Sequence, residues 1–231
     1  MSSTLLDALG LLTSFDAAVA QVVALSLFVS GSAVALGVFI GLPLGAFVAI
    51  ARFPGRAAVT VLLNAMMGLP SVVVGVIVYL ALSRSGPFGP LGLLFTPTAM
   101  IIAQTLLTAP LIAALTRQIV EDSWRHYETE LNSMGYGRWQ AVVVLLYDCR
   151  FSLVVAVLAG LGRAMSEVGA VMMVGGNIAG FTRVMTTTIA LETSKGDLPL
   201  SLALGAVLVA LVLGLNAAAH GLRQWAMRRY G

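Results

Sequence analysis

The stretch GLGRAMSEVGAVMMVGG, residues 160–176, sets Arg163 and Glu167 inside a run that otherwise reads as lipid-facing helix. That run belongs to an apolar segment, 150–174, which at 1.5 Å rise per residue is long enough to cross about 30 Å of hydrocarbon. Four more segments share its length and character: about 18–50, 57–83, 97–117 and 200–221. The ~10-residue alternation of a membrane barrel is missing. The pattern therefore predicts an all-α, polytopic membrane helix bundle of about five transmembrane helices, a single transmembrane domain over 1–231. Composition agrees, since 59% of the 231 residues are hydrophobic and 10% charged, against roughly 25% charged in a soluble domain. Mean hydropathy is +0.97.

Charge distribution orients the spans. The thirteen basic residues are twelve Arg and Lys195, giving a formal charge of +3. Nine of them (Arg52, Arg56, Arg117, Arg125, Arg138, Arg150, Arg223, Arg228 and Arg229) fall in connections on one side; Arg84, Arg183 and Lys195 fall on the other, and Arg163 lies within a span. Positively charged connections stay cytoplasmic, so the N-terminus is expected outside and the C-terminus inside. No basic patch is rich enough to hold nucleic acid.

Cys149 is the only cysteine, which leaves no disulfide framework or cysteine zinc cluster within one chain; it reads as a half-buried thiol near a membrane surface. No Lys or Arg precedes Arg52, so the first span is expected to be retained and not cleaved as a signal peptide. Ahead of it, Leu5, Leu6, Leu9 and Leu12 have the spacing of a short interfacial helix within 1–16. The first span holds Pro43, a site for a kink, a tilt or an overrun of the membrane. Its stripe Ser26, Ser30, Ala33, Gly37 and Gly41 reads as a helix-packing surface. No internal repeat is visible, and five spans do not divide into equal inverted halves, which argues against a self-contained secondary transporter.

Along one continuous helix over the fourth span, Ala156, Gly160, Arg163, Glu167 and Ala170 would share a face. Leu158, Leu161, Met165, Val168 and Met172 would share the opposite one. A charge at mid-bilayer costs about 2.5–3.5 kcal/mol on insertion scales, so the small, charged face should meet protein or water. Two roles are open to Arg163 and Glu167: a pair that fixes helix packing, or groups bordering a path near its gate, where opposite charges keep binding of a passing ion weak.

The longest charged piece is EDSWRHYETELNSMGYGRWQ, 121–140. Tyr127, Leu131 and Met134 form an apolar edge, with Glu128 and Asn132 on another face. Gly135 and Gly137 flank Tyr136 and can take the positive φ that ends one helix before the next. The expectation is a short amphipathic helix, a sharp turn, and a helix entering the membrane. The helix either lies on the inner leaflet or serves a cytoplasmic partner.

This segment resembles the EAA loop of permease subunits in type I ATP-binding-cassette importers. Thr129, Glu130 and Leu131 stand where the family has Glu-Ala-Ala, and Asn132, Ser133 and Met134 lead to Gly135, followed by Arg138 and Trp139. Tyr147 and Asp148 occupy the place of the family's Leu-Pro, and Glu128 and Glu130 both compete for the acidic role. The stretch 162–205, from GRAMSEVGAVMMVGGN onward, and GLPSVVVGV at 68–76 are similar to oxyanion permeases, closest to the tungstate subfamily. Molybdate and sulfate permeases are the alternative. The likeness covers roughly residues 20–220.

The resemblance implies one half of a permease dimer, formed with a second copy of the subunit, cytoplasmic ATPase subunits below and an extracytoplasmic substrate-binding protein above, in the cell's inner membrane. It implies ATPase coupling by Glu128, Thr129, Glu130, Leu131, Met134, Gly135, Arg138 and Trp139. A path or gate would involve Gly160, Arg163, Glu167 and Ala170. Asn177 and Arg183 would contact the binding protein, with 180–197 forming a short external helix and Arg183 exposed. The chain has no GxxxxGK[ST] loop and no enzymatic role of its own is expected; ATP and Mg belong to the partner ATPase, and no cofactor to this chain. Gly175, Gly176 and Asn177 have the character of a helix C-cap. His126 and His220 lack partners at metal spacing. Two rivals remain: an intramembrane enzyme using Ser166, Glu167 and Arg163, though no HExxH or GxSxG occurs, and a non-transporting scaffold that recruits a partner through 121–140.

Overall fold

The computed structural model describes residues 17–230, so the interfacial helix expected within 1–16 lies outside the described residues. These residues form α-helices with one short 3-10 turn and no strand. In order they are α1 (Ala17–Ile50), α2 (Arg56–Met67), α3 (Ser71–Leu82), the 3-10 turn Gly89–Leu91, α4 (Pro97–Ser133), α5 (Arg138–Asp148), α6 (Arg150–Met165), α7 (Gly169–Gly175), α8 (Met185–Lys195) and α9 (Leu198–Tyr230). Three helices are long and apolar enough to cross a membrane: Val19–Ile50, Pro97–Ser133 and Leu198–Gly221. Counting α2 with α3 and α5 with α6 as broken spans gives up to five.

Three expectations about helix continuity are corrected. The segment 57–83 is two helices, because Pro70 lacks the N–H to continue α2 and drives its own neighbour out of the helical region; it stands extended, at ψ 121, as the N-cap of α3. The span expected to stop near 117 runs on to Ser133 as α4. No Gly or Pro interrupts it after Pro110, so the polar 121–133 piece is the end of a long helix and not a separate short one. The fourth segment stops at Met165 and resumes at Gly169, so Ala156, Gly160, Arg163, Glu167 and Ala170 do not lie along one uninterrupted helix.

The chain divides into two compact units. One comprises 34–69, 105–163 and the residues from 217 onward. In it the second half of α1 lies directly against α4. A Cβ added to Gly37 would sit 2.9 Å from Thr108 Oγ1, one at Gly41 2.8 Å from the Ala109 carbonyl oxygen, and one at Gly45 2.3 Å from that of Ala113. Absence of side chains there lets the backbones meet, as small-residue stripes do between membrane helices. Gly160 repeats the device on α6, where a Cβ would stand 2.7 Å from Ile112. A core of Ala46, Ala49, Ile50, Val120, Leu131, Ala141, Val142 and Leu145 joins the end of α1 to α4 and α5, and α6 leaves α5 at an 80° bend.

The other unit comprises residues 17–33, 70–104 and 164–216. Here α7 packs on α3: a Cβ at Gly75 would lie 2.8 Å from Ala170 Cα, and one at Gly169 2.7 Å from Val72. Ser26 accepts from the backbone N–H of Met185 at 2.8 Å, which fixes the start of α8 against α1. Phe95, in the left-handed region at φ 62, donates its N–H to the Val174 carbonyl at 2.9 Å.

Candidate functional site

The helix α4 ends by a bond pattern that dictates a sharp reversal. Tyr136 N–H donates to the Leu131 carbonyl at 3.1 Å and Gly135 N–H to that of Asn132 at 3.1 Å, with Gly135 at φ 77. This 6→1 and shorter pairing around a left-handed residue is a Schellman ending, which a side chain at Gly135 would strain. Gly137, also considered for a positive φ, is extended at φ −70. Gln140 then accepts the Gly137 N–H at 2.7 Å and starts α5. The result is a helical hairpin with its tip at Met134–Gly137.

Its side chains divide by direction. Leu131 is buried in the core between α4 and α5, whereas Met134 is 70% exposed and Thr129, Glu130 and Tyr136 are exposed too. Trp139 stacks on Phe47 with centroids 5.1 Å apart. Glu128 accepts from Arg52 at 2.6 Å, and Arg138 donates to the Arg52 carbonyl at 3.3 Å. The two acids that competed for one role therefore differ: Glu128 is engaged within the chain, while Glu130 faces out.

Sequence reasoning missed Glu121. Its carboxylate receives Arg117, Arg56 at 3.2 Å and Arg125 at 3.8 Å. Arg56 also donates to the carbonyls of Val48 and Ala49 at 2.8 Å each, covering the orphaned C-terminal carbonyls of α1. The i,i+4 pairs of Glu121 with Arg117 and Arg125 were visible in the string. The contact with Arg56, sixty-five positions away, was not.

The break between α6 and α7 has identifiable causes. The Ala164 carbonyl, which a continuous helix would give to the N–H four residues on, takes the Glu167 N–H at 3.3 Å and accepts also from Gln104 Nε2 at 3.1 Å and Ser30 Oγ at 3.4 Å. Thr186 donates its hydroxyl to the Glu167 carbonyl at 2.8 Å. The Glu167 carboxylate, buried, accepts the Ala170 N–H at 3.1 Å and so serves the N-terminus of α7. Arg163, half-buried, donates to the Leu69 carbonyl at 3.2 Å. Gly160 and Ala170 are both buried at helix contacts. A small, mostly apolar cavity lies beside the break, with Ser26, Ser30, Gln104 and Thr186 among Val29, Met165, Val184 and Leu208 in its lining.

After α7 the chain turns through Gly176 at φ 70 and Asn177 at φ 50, the C-cap read from the sequence. Thr182, fully buried, donates to the Gly175 carbonyl at 2.6 Å and accepts the Ile178 N–H at 2.9 Å. That folds 176–183 onto itself and draws Arg183 in. Contrary to expectation Arg183 is half-buried, donating to the Asn177 carbonyl at 3.4 Å. The helix expected in 180–197 is α8, whose Thr186, Thr187, Thr188 and Glu192 are buried.

Residues 41–231 match the family described as the binding-protein-dependent transport system inner membrane component. The chain belongs to this family. It is 42% identical over 217 residues to the tungstate uptake system permease protein TupB of Peptoclostridium acidaminophilum, covering 94% of this chain and 95% of that one. It is 43% identical over 202 residues to a probable anion ABC transporter permease protein of Haloferax volcanii, covering 85% and 87% of the two chains. TupB of Campylobacter jejuni is 35% identical over 173 residues, 75% and 72% of the chains. The type I importer resemblance drawn from 121–140 and 162–205 thus agrees with the family, and the chain is a multi-pass inner-membrane permease component.

Proposed function

We propose that this chain is the permease subunit of an ATP-driven oxyanion importer, with tungstate as the substrate. The observation that carries the reading is the 42% identity to a tungstate uptake permease across nearly the full length of both chains. A single permease domain over 1–231 pairs with a second copy. Its N-terminus faces out and its C-terminus in, as the loop charges argue.

Hydrolysis occurs in a partner ATPase that holds ATP and Mg. The hairpin tip supplies the contact: Thr129, Glu130 and Met134 face out, Gly135 sets the turn, and Glu128, Leu131, Arg138 and Trp139 hold its shape. Closure of the ATPase moves the hairpin and thereby biases a rigid-body transition of the pore. Arg163 and Glu167, with Gly160 and Ala170 packing their helices, border the path. Asn177 and Arg183 lie on the loop that meets the substrate-binding protein.

The test is reconstitution of the chain with its ATPase and binding protein in liposomes, following tungstate uptake in competition with molybdate and sulfate. ATP-dependent uptake that tungstate alone saturates at the lowest concentration is the expected result. Preference for molybdate or sulfate would reassign the substrate, and uptake without ATP would remove the importer reading.

A further inference from the structure

The connection between α1 and α2, Ala51–Gly55, is held to the hairpin by more contacts than a passive loop requires. Arg52 touches both limbs: its guanidinium binds Glu128 before the turn, and its carbonyl accepts from Arg138 after it. Phe53 and Trp139 both stack against Phe47. Arg56, at the first position of α2, forks between the last carbonyls of α1 and Glu121 of α4. A planar guanidinium with several donors is suited to such a fork, and a lysine ammonium is not.

Glu121 is the node. One carboxylate faces three guanidiniums, and Arg117 among them is 11% exposed on its side chain. Removing Glu121 would leave those cations mutually repelling, one of them largely out of water. By contrast, the Arg52–Glu128 pair is surface-exposed on the arginine side, at 74%, and such pairs contribute little to stability. The pair ties the corner to the α4 limb, as the Arg52 carbonyl ties it to α5 through Arg138, and does not hold the fold together.

We infer that the 51–56 corner is a second element of the energy-coupling apparatus, with Arg52 and Arg56 positioning residues that make the corner and the hairpin move as one body. Motion received at the tip then reaches α1 and α2 directly through Glu128 and Glu121, in addition to α4 and α5. This rests on the reading of 121–140 as the ATPase contact.

The experiment uses the complex with its ATPase and binding protein in liposomes, with tungstate as the transported ion. Arg52→Cys and Glu128→Cys are combined in a Cys149→Ser background and bridged with a short bis-maleimide. Before bridging, transport per ATP hydrolysed should fall about tenfold, within the usual span of coupling between linked sites; after bridging it should return to about the level of the Cys149→Ser parent. Transport unchanged before bridging, or not restored after it, overturns the inference. Glu121→Gln, measured only in assembled complexes, should likewise keep ATP hydrolysis and lose transport; equal loss of both would assign Glu121 to folding alone and overturn its part. A parent complex in which the permease does not alter ATP hydrolysis would refute the coupling reading itself, an outcome separate from either variant result.

Discussion

Gln104 Nε2 donates to the Ala164 carbonyl across 3.1 Å of buried interior. The bond occupies an acceptor that a continuous helix would use internally, and Ser30 shares it. Two side chains from α1 and α4 thereby support the end of α6 just where an apolar run of ample length would otherwise continue.

Replacing Gln104 with Leu removes one donor from that carbonyl. Ser30 and the Glu167 N–H still serve the carbonyl, so we expect a loss of about 0.5–1.5 kcal/mol, the net worth of one hydrogen bond, read as a lowered Tm in detergent. Ser30→Ala alone should cost less, because its bond is longer, and the double variant should lose more than the sum if the two donors share the acceptor.

Gly45 and Gly31 provide a matched pair on α1. A Cβ at Gly45 would fall 2.3 Å from the Ala113 carbonyl oxygen, while one at Gly31 meets nothing within 4 Å. Gly45→Ala should force α1 from α4 and cost about 1–3 kcal/mol, as overpacking does. Gly31→Ala should raise stability by up to about 1 kcal/mol through helix propensity. Thermal unfolding of both variants checks the contrast; equal effects would refute the close-approach account.

Gly135→Ala tests the turn. At φ 77 an L side chain costs about 1–2 kcal/mol, too little to unfold a membrane helix bundle but enough to shift a hairpin tip. The expected result is normal assembly in the membrane with reduced copurification of the ATPase. Met134→Ala should weaken the same capture without touching stability, since its side chain is largely exposed.

Glu167→Gln separates capping from charge. The amide oxygen of Gln can still accept the Ala170 N–H, so the cap on α7 is kept. If the carboxylate borders the path, the KM for tungstate or the maximal uptake rate should change while assembly does not. Unchanged uptake in assembled complexes would refute the path reading of Glu167.

Much of the architecture was legible without coordinates. Apolar length alone exposes the spans, because the bilayer sets a single threshold that every crossing helix must meet. The stripe Ser26, Ser30, Ala33, Gly37 and Gly41 announced its packing role, and the hairpin reversal at Gly135 was visible because only a residue tolerant of positive φ ends a helix that way. The resemblance at 121–140 and 162–205 led to the family for the same reason: those positions are specified locally.

What escaped was specified at a distance. The break at 166–168 is invisible in a string whose own periodicity favours continuous helix; it exists because Ser30, Gln104 and Thr186, brought in from other helices, satisfy backbone carbonyls there. Arg183 looked exposed because Thr182, which folds its loop inward, carries no sequence mark of burial. Glu121 and Arg56 are ordinary charges in the string and become a node only when α1, α2 and α4 converge. Sequence by itself determined that the chain is a helical membrane protein and where its apolar segments lie, since hydropathy acts within a few turns. Tertiary structure alone decided where a helix is interrupted and which charges meet, because a hydrogen bond between residues sixty or more positions apart depends on packing that no local pattern encodes.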